Sequence, residues 1–154
     1  MLIDKLNVLR AAKLVLASGS PRRKEILNEI LGLDVRVVPS TFAEDLDHSK
    51  FTPESYAQEN ARVKALEVWH ALCGKFPDRL SWAIRSLSIS DRGCLSPASG
   101  DEAPDIVIGG DTVVSSGGLI LEKPRDRQHA IDMLAGLSGT THTVYSGVAL
   151  VYRQ

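Results

Sequence analysis

Leu14-Val15-Leu16-Ala17 runs without a break into Ser18-Gly19-Ser20-Pro21, and that junction constrains the fold more than any other stretch of the chain. A short aliphatic run of this kind reads as a buried strand. Proline fixes φ near the helical value and has no N–H, so it suits the first helical position, where the N–H is unpaired in any case. Ser20 stands at the N-cap. The spacing predicts a helix with Ile26, Leu27, Ile30 and Leu31 on its apolar face, ended by Gly32. Val35, Val37 and Val38 then suggest a second strand. Strand, tight turn, helix and strand form a unit typical of α/β proteins.

A second helix is expected after Thr52, with Pro53 at its first position. Ala57, Ala61, Ala65, Val68 and Leu72 recur at helical spacing and predict one packed face. Residues 105–109 read as another buried strand. Gly117-Gly118 signals a hairpin between Val113-Val114 and Leu119-Ile120-Leu121. Asp126 is placed to cap a third helix with Ala130, Ile131, Leu134 and Leu137 on its apolar face, closed by Gly139. Residues 144–152 form a final strand. Residues from about 74 to 104 have no coherent period and a scattered Ser/Pro/Gly content, which predicts a poorly ordered insertion.

With 154 residues the chain is long enough for one domain with a proper core. Its 44% hydrophobic and 24% charged content is that of a soluble globular protein. A net charge of -1, with no interleaved aromatic and basic residues, argues against nucleic acid or an anionic membrane as partner. Cys73 and Cys94 are too few for a disulfide scaffold and lack metal-ligand spacing. Asp4, Arg10 and Lys13 interrupt the apolar start, leaving less than the roughly 7–15 residues a secretory core needs. A cytoplasmic protein is expected.

Three stretches bear chemistry. In Ser18-Gly19-Ser20-Pro21-Arg22-Arg23 a small-residue turn opens a helix, so backbone N–H groups and the positive helix end are offered to an anion. Arg22 and Arg23 add guanidinium groups suited to phosphate. The same residues are also consistent with a capped helix carrying two solvated arginines, although cations at a helix N-terminus oppose its dipole. The motif is neither a Walker A loop nor a dinucleotide fingerprint. In Gly109-Gly110-Asp111-Thr112 an aspartate follows a buried strand, where α/β sheets place ligands. That carboxylate suits a divalent metal or water activation, or else a turn bonding to its own backbone. Lys123, in Glu122-Lys123-Pro124, could reach a triphosphate or be an ordinary surface lysine. Glu44 and Lys64 are equally open, and the four histidines have no ligand spacing.

In order along the chain, residues 17–23, Glu44, residues 59–65, Gly110-Asp111-Thr112, Glu122-Lys123-Pro124 and Leu137-Ser138-Gly139 resemble the Maf family of nucleotide pyrophosphatases. Each match is weak alone; the ordered set is specific. Within that family the chain is most similar to members that join a Maf domain to a methyltransferase-like domain. The resemblance implies an elongated, two-lobed α/β fold of the Maf/ITPase-like type with a central cleft. It implies hydrolysis of a nucleoside triphosphate between the α and β phosphates with Mg²⁺ or Mn²⁺, in the subgroup acting on dTTP and UTP. By the family's pattern Asp111 is the proton acceptor and, with Glu44, a metal-site carboxylate. Ser18, Arg23, Lys64 and Lys123 match triphosphate-binding positions, and Arg22 and Thr112 match positions linked to base choice.

Two departures from the family's pattern bear on function. The segment of about 74–104 is longer than the usual connection. The family also continues past the strand at 144–152 with an Asp-Lys-Ala-Gly-type segment, a base-selecting glutamine and closing strands. The expectation is a partial Maf-like domain over residues 12–154, C-terminally truncated, with one cleft wall absent. Its partners are then a nucleoside triphosphate and, to complete the fold, a second copy as a homodimer. The alternative is a non-catalytic form that binds nucleotide weakly or acts only through a partner.

Overall fold

A computed structural model describes residues 3–73 and 103–152. The expected insertion at 74–104 lies almost wholly outside the described residues. A helix not foreseen from the sequence, α1 (Ile3–Ala11), leads into β1 (Leu14–Leu16). After the turn come α2 (Pro21–Glu25), which widens into a π-turn over Ile26–Ile30, and β2 (Val35–Val37). A long loop holding the 3₁₀ turn His48–Lys50 reaches α3 (Pro53–Cys73). Then follow β3 (Ile106–Ser116), β4 (Leu119–Leu121), α4 (Arg127–Leu137) and β5 (Thr143–Tyr152).

The strands form one mixed sheet with β3 at its centre. β1 pairs in parallel with β2 and with the first part of β3, Leu14 opposite Ile106 and Leu16 opposite Ile108. β5 pairs antiparallel along nearly all of β3, from Ile106 opposite Tyr152 to Ser115 opposite Thr143. β4 pairs antiparallel with the far end of β3, Val114 opposite Leu121. Since β5 takes one edge of β3, β1 and β4 must share the other. Between them, among the described residues, the middle of β3 has no strand partner on that edge. This fork is the cleft.

The expected alanine face of α3 packs on β3 and β5 at two glycines. A Cβ at residue 109 would lie 2.0 Å from the carbonyl oxygen of Ala61, and one at residue 147 would lie 2.3 Å from that of Ala57. Alanines on the helix and glycines on the strands let two backbones approach where any larger side chain would hold them apart. Ala65, Val68, Trp69 and Leu72 continue this layer against Val15, Val107 and Val151. On the opposite face Leu14, Leu16, Leu33 and Val35 pack with Leu6, Leu9 and Leu27. β1 is thus buried on both faces, as its continuous apolar sequence requires.

The local chemistry is mostly as the sequence reads. Thr52 and Ser55 exchange side-chain and backbone hydrogen bonds at the start of α3. Gly117 and Gly118 both take positive φ, 58° and 82°, as a two-residue hairpin between β3 and β4 requires. Asp126 accepts from the His129 N–H at 2.8 Å to cap α4, and Gly139 ends it at φ 72°.

Three expectations are corrected. Ser20 stands at the N-cap without making a side-chain cap bond. Of the apolar residues on the first predicted helix, Leu27 joins a core cluster while Ile26, Ile30 and Leu31 are exposed. The apolar face of α4 is likewise open, with Ile131 and Leu134 exposed. Helical spacing specifies a face but not whether another layer exists to cover it.

Candidate active site

Asp111 was expected at the carboxyl end of a strand; it lies instead near the middle of β3. It borders the cleft because β1 ends beside it, so the ligand position is set by a partner's terminus. Successive side chains on β3 point to opposite faces. Asp111 therefore faces α3, while Gly110 and Thr112 face α2.

On the α3 side, the Lys64 ammonium lies 2.7 Å from Asp111 Oδ1 and 2.9 Å from Glu44 Oε1. Lys64 and Asp111 are 7% and 5% exposed. A buried charge pair persists only when each group is compensated, and here one cation serves two carboxylates. Glu44 also accepts from the Lys123 ammonium at 2.8 Å and 3.0 Å. Burial pushes the Glu44 carboxyl upward, but hydrogen bonds and attraction from Lys123 and Lys64 outweigh it and hold the group below its ordinary range. Glu44 takes φ 58°, left-handed backbone that a non-glycine residue seldom adopts.

On the other side, Arg23 donates to Ser18 Oγ at 2.8 Å and to Thr112 Oγ1 at 3.1 Å, and Thr112 is 3.0 Å from Ser146 Oγ. Gly110 allows this, because a Cβ there would lie 3.1 Å from the Arg23 Nε. The guanidinium ties the turn after β1 to β3.

Both groups open on one cavity of about 490 Å³, lined by Ser18, Arg23, Glu44, Lys64, Asp111, Thr112 and Lys123 together with the turn after β1. These residues come from five separate stretches of sequence. Arg22 does not line it; its side chain is 83% exposed and 4.0 Å from Glu25. Pro39 and Ser40 line the cavity and were missed. The available signal was their place just after β2, the parallel neighbour of β1. Ser40, with the Thr41 hydroxyl and the Thr41 and Phe42 N–H groups, donates to the Glu67 carboxylate of α3, which fixes the loop that leads to Glu44.

Among the described residues no group of three His, Cys, Asp or Glu side chains converges to hold a metal. Asp111 and Glu44 nevertheless already share a cation, the Lys64 ammonium, and both supply oxygen. Two carboxylates suit Mg²⁺ or Mn²⁺, which prefer hard ligands; Mg²⁺ commonly completes its shell with water and substrate phosphates. Arg23, Lys64 and Lys123 outnumber Glu44 and Asp111 by one around the cleft, so the lining favours an anionic group.

The sequence comparison agrees with this class. The Maf family model, described as "Maf-like protein", matches residues 13–154, and the chain belongs to that family. The mixed α/β sheet with its helices is the fold the resemblance led us to expect. The chain is 47% identical over 153 residues to a human protein named "Probable bifunctional dTTP/UTP pyrophosphatase/methyltransferase protein", covering 99% of this chain and 21% of that one. It is 42% identical over 139 residues to a dTTP/UTP pyrophosphatase of Clostridium acetobutylicum, covering 90% and 59%. It is 35% identical over 153 residues to a nucleoside triphosphate pyrophosphatase of Dictyostelium discoideum, covering 99% and 59%. The chain thus spans 21% to 59% of the length of these relatives. No helix among the described residues is long and apolar enough to cross a membrane.

Proposed function

We propose that this chain carries the site of a nucleoside triphosphate pyrophosphatase that converts dTTP or UTP to the monophosphate and pyrophosphate in the cytoplasm. The observation that carries the reading is the convergence of Ser18, Arg23, Glu44, Lys64, Asp111, Thr112 and Lys123 on one cavity. Names of relatives at 35–47% identity support the same substrates.

In this reading Arg23 exchanges its hydroxyl partners Ser18 and Thr112 for phosphate oxygens. Lys123 and Lys64 neutralise the remainder of the chain. Asp111 accepts the proton of the water that attacks the α phosphorus, and pyrophosphate leaves with the bond electrons. Thr112 contributes to base choice from the cavity wall, and Arg22 from α2 outside the cavity. Three cations against two carboxylates do not balance a triphosphate, which supports a divalent cation held by Asp111 and Glu44. When bound, that Mg²⁺ or Mn²⁺ supplies charge neutralisation at the phosphates and a more acidic water. Such transfer asks chiefly for positioning and charge, which clustered cations provide.

A second reading, nucleotide binding with turnover only through a partner such as a second copy, is favoured by one observation. The face of β5 turned away from α3 exposes Val144, Val148, Leu150 and Tyr152. Pyrophosphate release from dTTP, UTP, CTP, GTP and ATP, measured with Mg²⁺ or Mn²⁺ over a range of protein concentrations, tests both. Turnover independent of concentration and selective for dTTP or UTP supports the first reading. Turnover that rises steeply with concentration, or binding without turnover, supports the second.

A further inference from the structure

His48 carries none of the ligand spacing that would mark it in the sequence, yet it joins three elements that supply the cavity. Its Nε2 is 3.0 Å from the Tyr56 hydroxyl oxygen and 2.8 Å from Glu122 Oε1. Its ring meets that of Tyr56 edge-on, centroids 4.6 Å apart at 79°. The Tyr56 hydroxyl donates to the backbone carbonyl of Glu44 at 3.0 Å. Glu122 precedes Lys123, and Lys123 closes the circuit on the Glu44 carboxylate.

The donors fix how this ring works. A carboxylate only accepts, so the proton between His48 and Glu122 belongs to Nε2. The Tyr56 proton goes to the Glu44 carbonyl, leaving the Tyr56 oxygen to accept from the same Nε2–H. Glu44 needs such restraint, because left-handed backbone is unfavourable for a residue with a Cβ. Tyr56 is buried on α3, eight residues before Lys64 on the same helical face. The helix thus holds Glu44 by its carbonyl at one point and by its carboxylate at another.

We propose that His48, through Tyr56 and Glu122, is a positioning residue that holds Glu44 and Lys123 together at the cavity. The inference rests on the pyrophosphatase reading for its consequence in catalysis, but the clasp itself can be measured without turnover. His48 is partly exposed, so replacing it does not open the core. His48→Ala is expected to weaken binding of dTTP and of inorganic pyrophosphate about fivefold, in keeping with loss of one net hydrogen bond, with little change in Tm. His48→Gln retains an N–H donor near the Nε2 position and restores most of the affinity. Amide exchange in His48→Ala rises together over residues 42–50 and 121–124.

A double-mutant cycle separates positioning from general stapling of the loop. In a Lys123→Ala background, His48→Ala adds little further loss of pyrophosphate affinity if it acts through Lys123. An equal loss in both backgrounds, or no rise in exchange over residues 42–50, overturns the proposal. If the wild-type chain turns over none of the nucleotides, the pyrophosphatase reading fails. Amide exchange and pyrophosphate binding still decide the clasp.

Discussion

Gly109→Ala tests the packing that sets the site. The added Cβ would sit 2.0 Å from the Ala61 carbonyl oxygen and 2.9 Å from the Ala65 Cβ, whereas real Cβ contacts essentially never fall below 3.0 Å. Neither neighbour is a flexible tip. α3 must therefore retreat from β3 by about 1 Å, and a gap of that size forfeits a quarter to a half of each dispersion contact along the interface. Lys64 is one turn from Ala61, so its 2.7 Å bond to Asp111 is stretched by the same movement. Overpacking of this kind costs about 3 kcal/mol, the upper part of the usual range. With a urea m-value of about 2 kcal/mol per M, the unfolding midpoint falls by about 1.5 M. Gly136→Ala is the control: nothing lies within 4 Å, and in the last turn of α4 alanine should stabilise by up to about 0.5 kcal/mol. A Gly109→Ala midpoint within about 0.3 M of wild type would refute close backbone packing as the reason for glycine here.

Asp111→Asn should lower pyrophosphate release by at least about 100-fold while dTTP binding by calorimetry persists; equal turnover would remove Asp111 from its proposed role. Arg23→Ala should raise the KM for dTTP about tenfold through loss of a charged phosphate contact, and Arg22→Ala by much less, since its side chain is turned to solvent. The opposite order would mean that the cleft closes onto Arg22. Glu44 gives a pH signature. Its folded-state pKa lies below the ordinary 4.5, so the unfolded chain binds more protons and stability rises with pH through that window. This contribution is present above about 4.5 and lost as pH falls through the folded value. As pH is lowered from 6 to 3, urea midpoints should fall less steeply for Glu44→Gln than for wild type, and identical slopes would exclude the effect.

Much of the scaffold is local and so was legible in the residues. The strand at Leu14, the helix entered at Pro21, the alanine face of α3, the Gly117-Gly118 hairpin and the Asp126 cap each depend on neighbours a few positions away. Buried β1 and α3 are specified by apolar pattern, and turn φ angles by glycine. The site residues were legible as an ordered set of motifs, while what each touches was not. Nothing near Lys64 announces that its ammonium will lie between Asp111 and Glu44, 47 and 20 positions distant.

What tertiary structure alone decided is the fork. The sequence marks Asp111 as the end of a strand because Gly109-Gly110 interrupts the apolar run. The chain continues as strand because β5 pairs across the glycines, and those glycines are present to admit α3 and Arg23. Similarly, His48 reads as a scattered histidine until the loop after β2, the start of α3 and the end of β4 are brought within hydrogen-bond reach. Local sequence sets backbone conformation through steric limits on each residue. Hydrogen-bond partners far along the chain are chosen by how layers pack, and the cleft lies where, among the described residues, that packing leaves an edge of β3 without a strand.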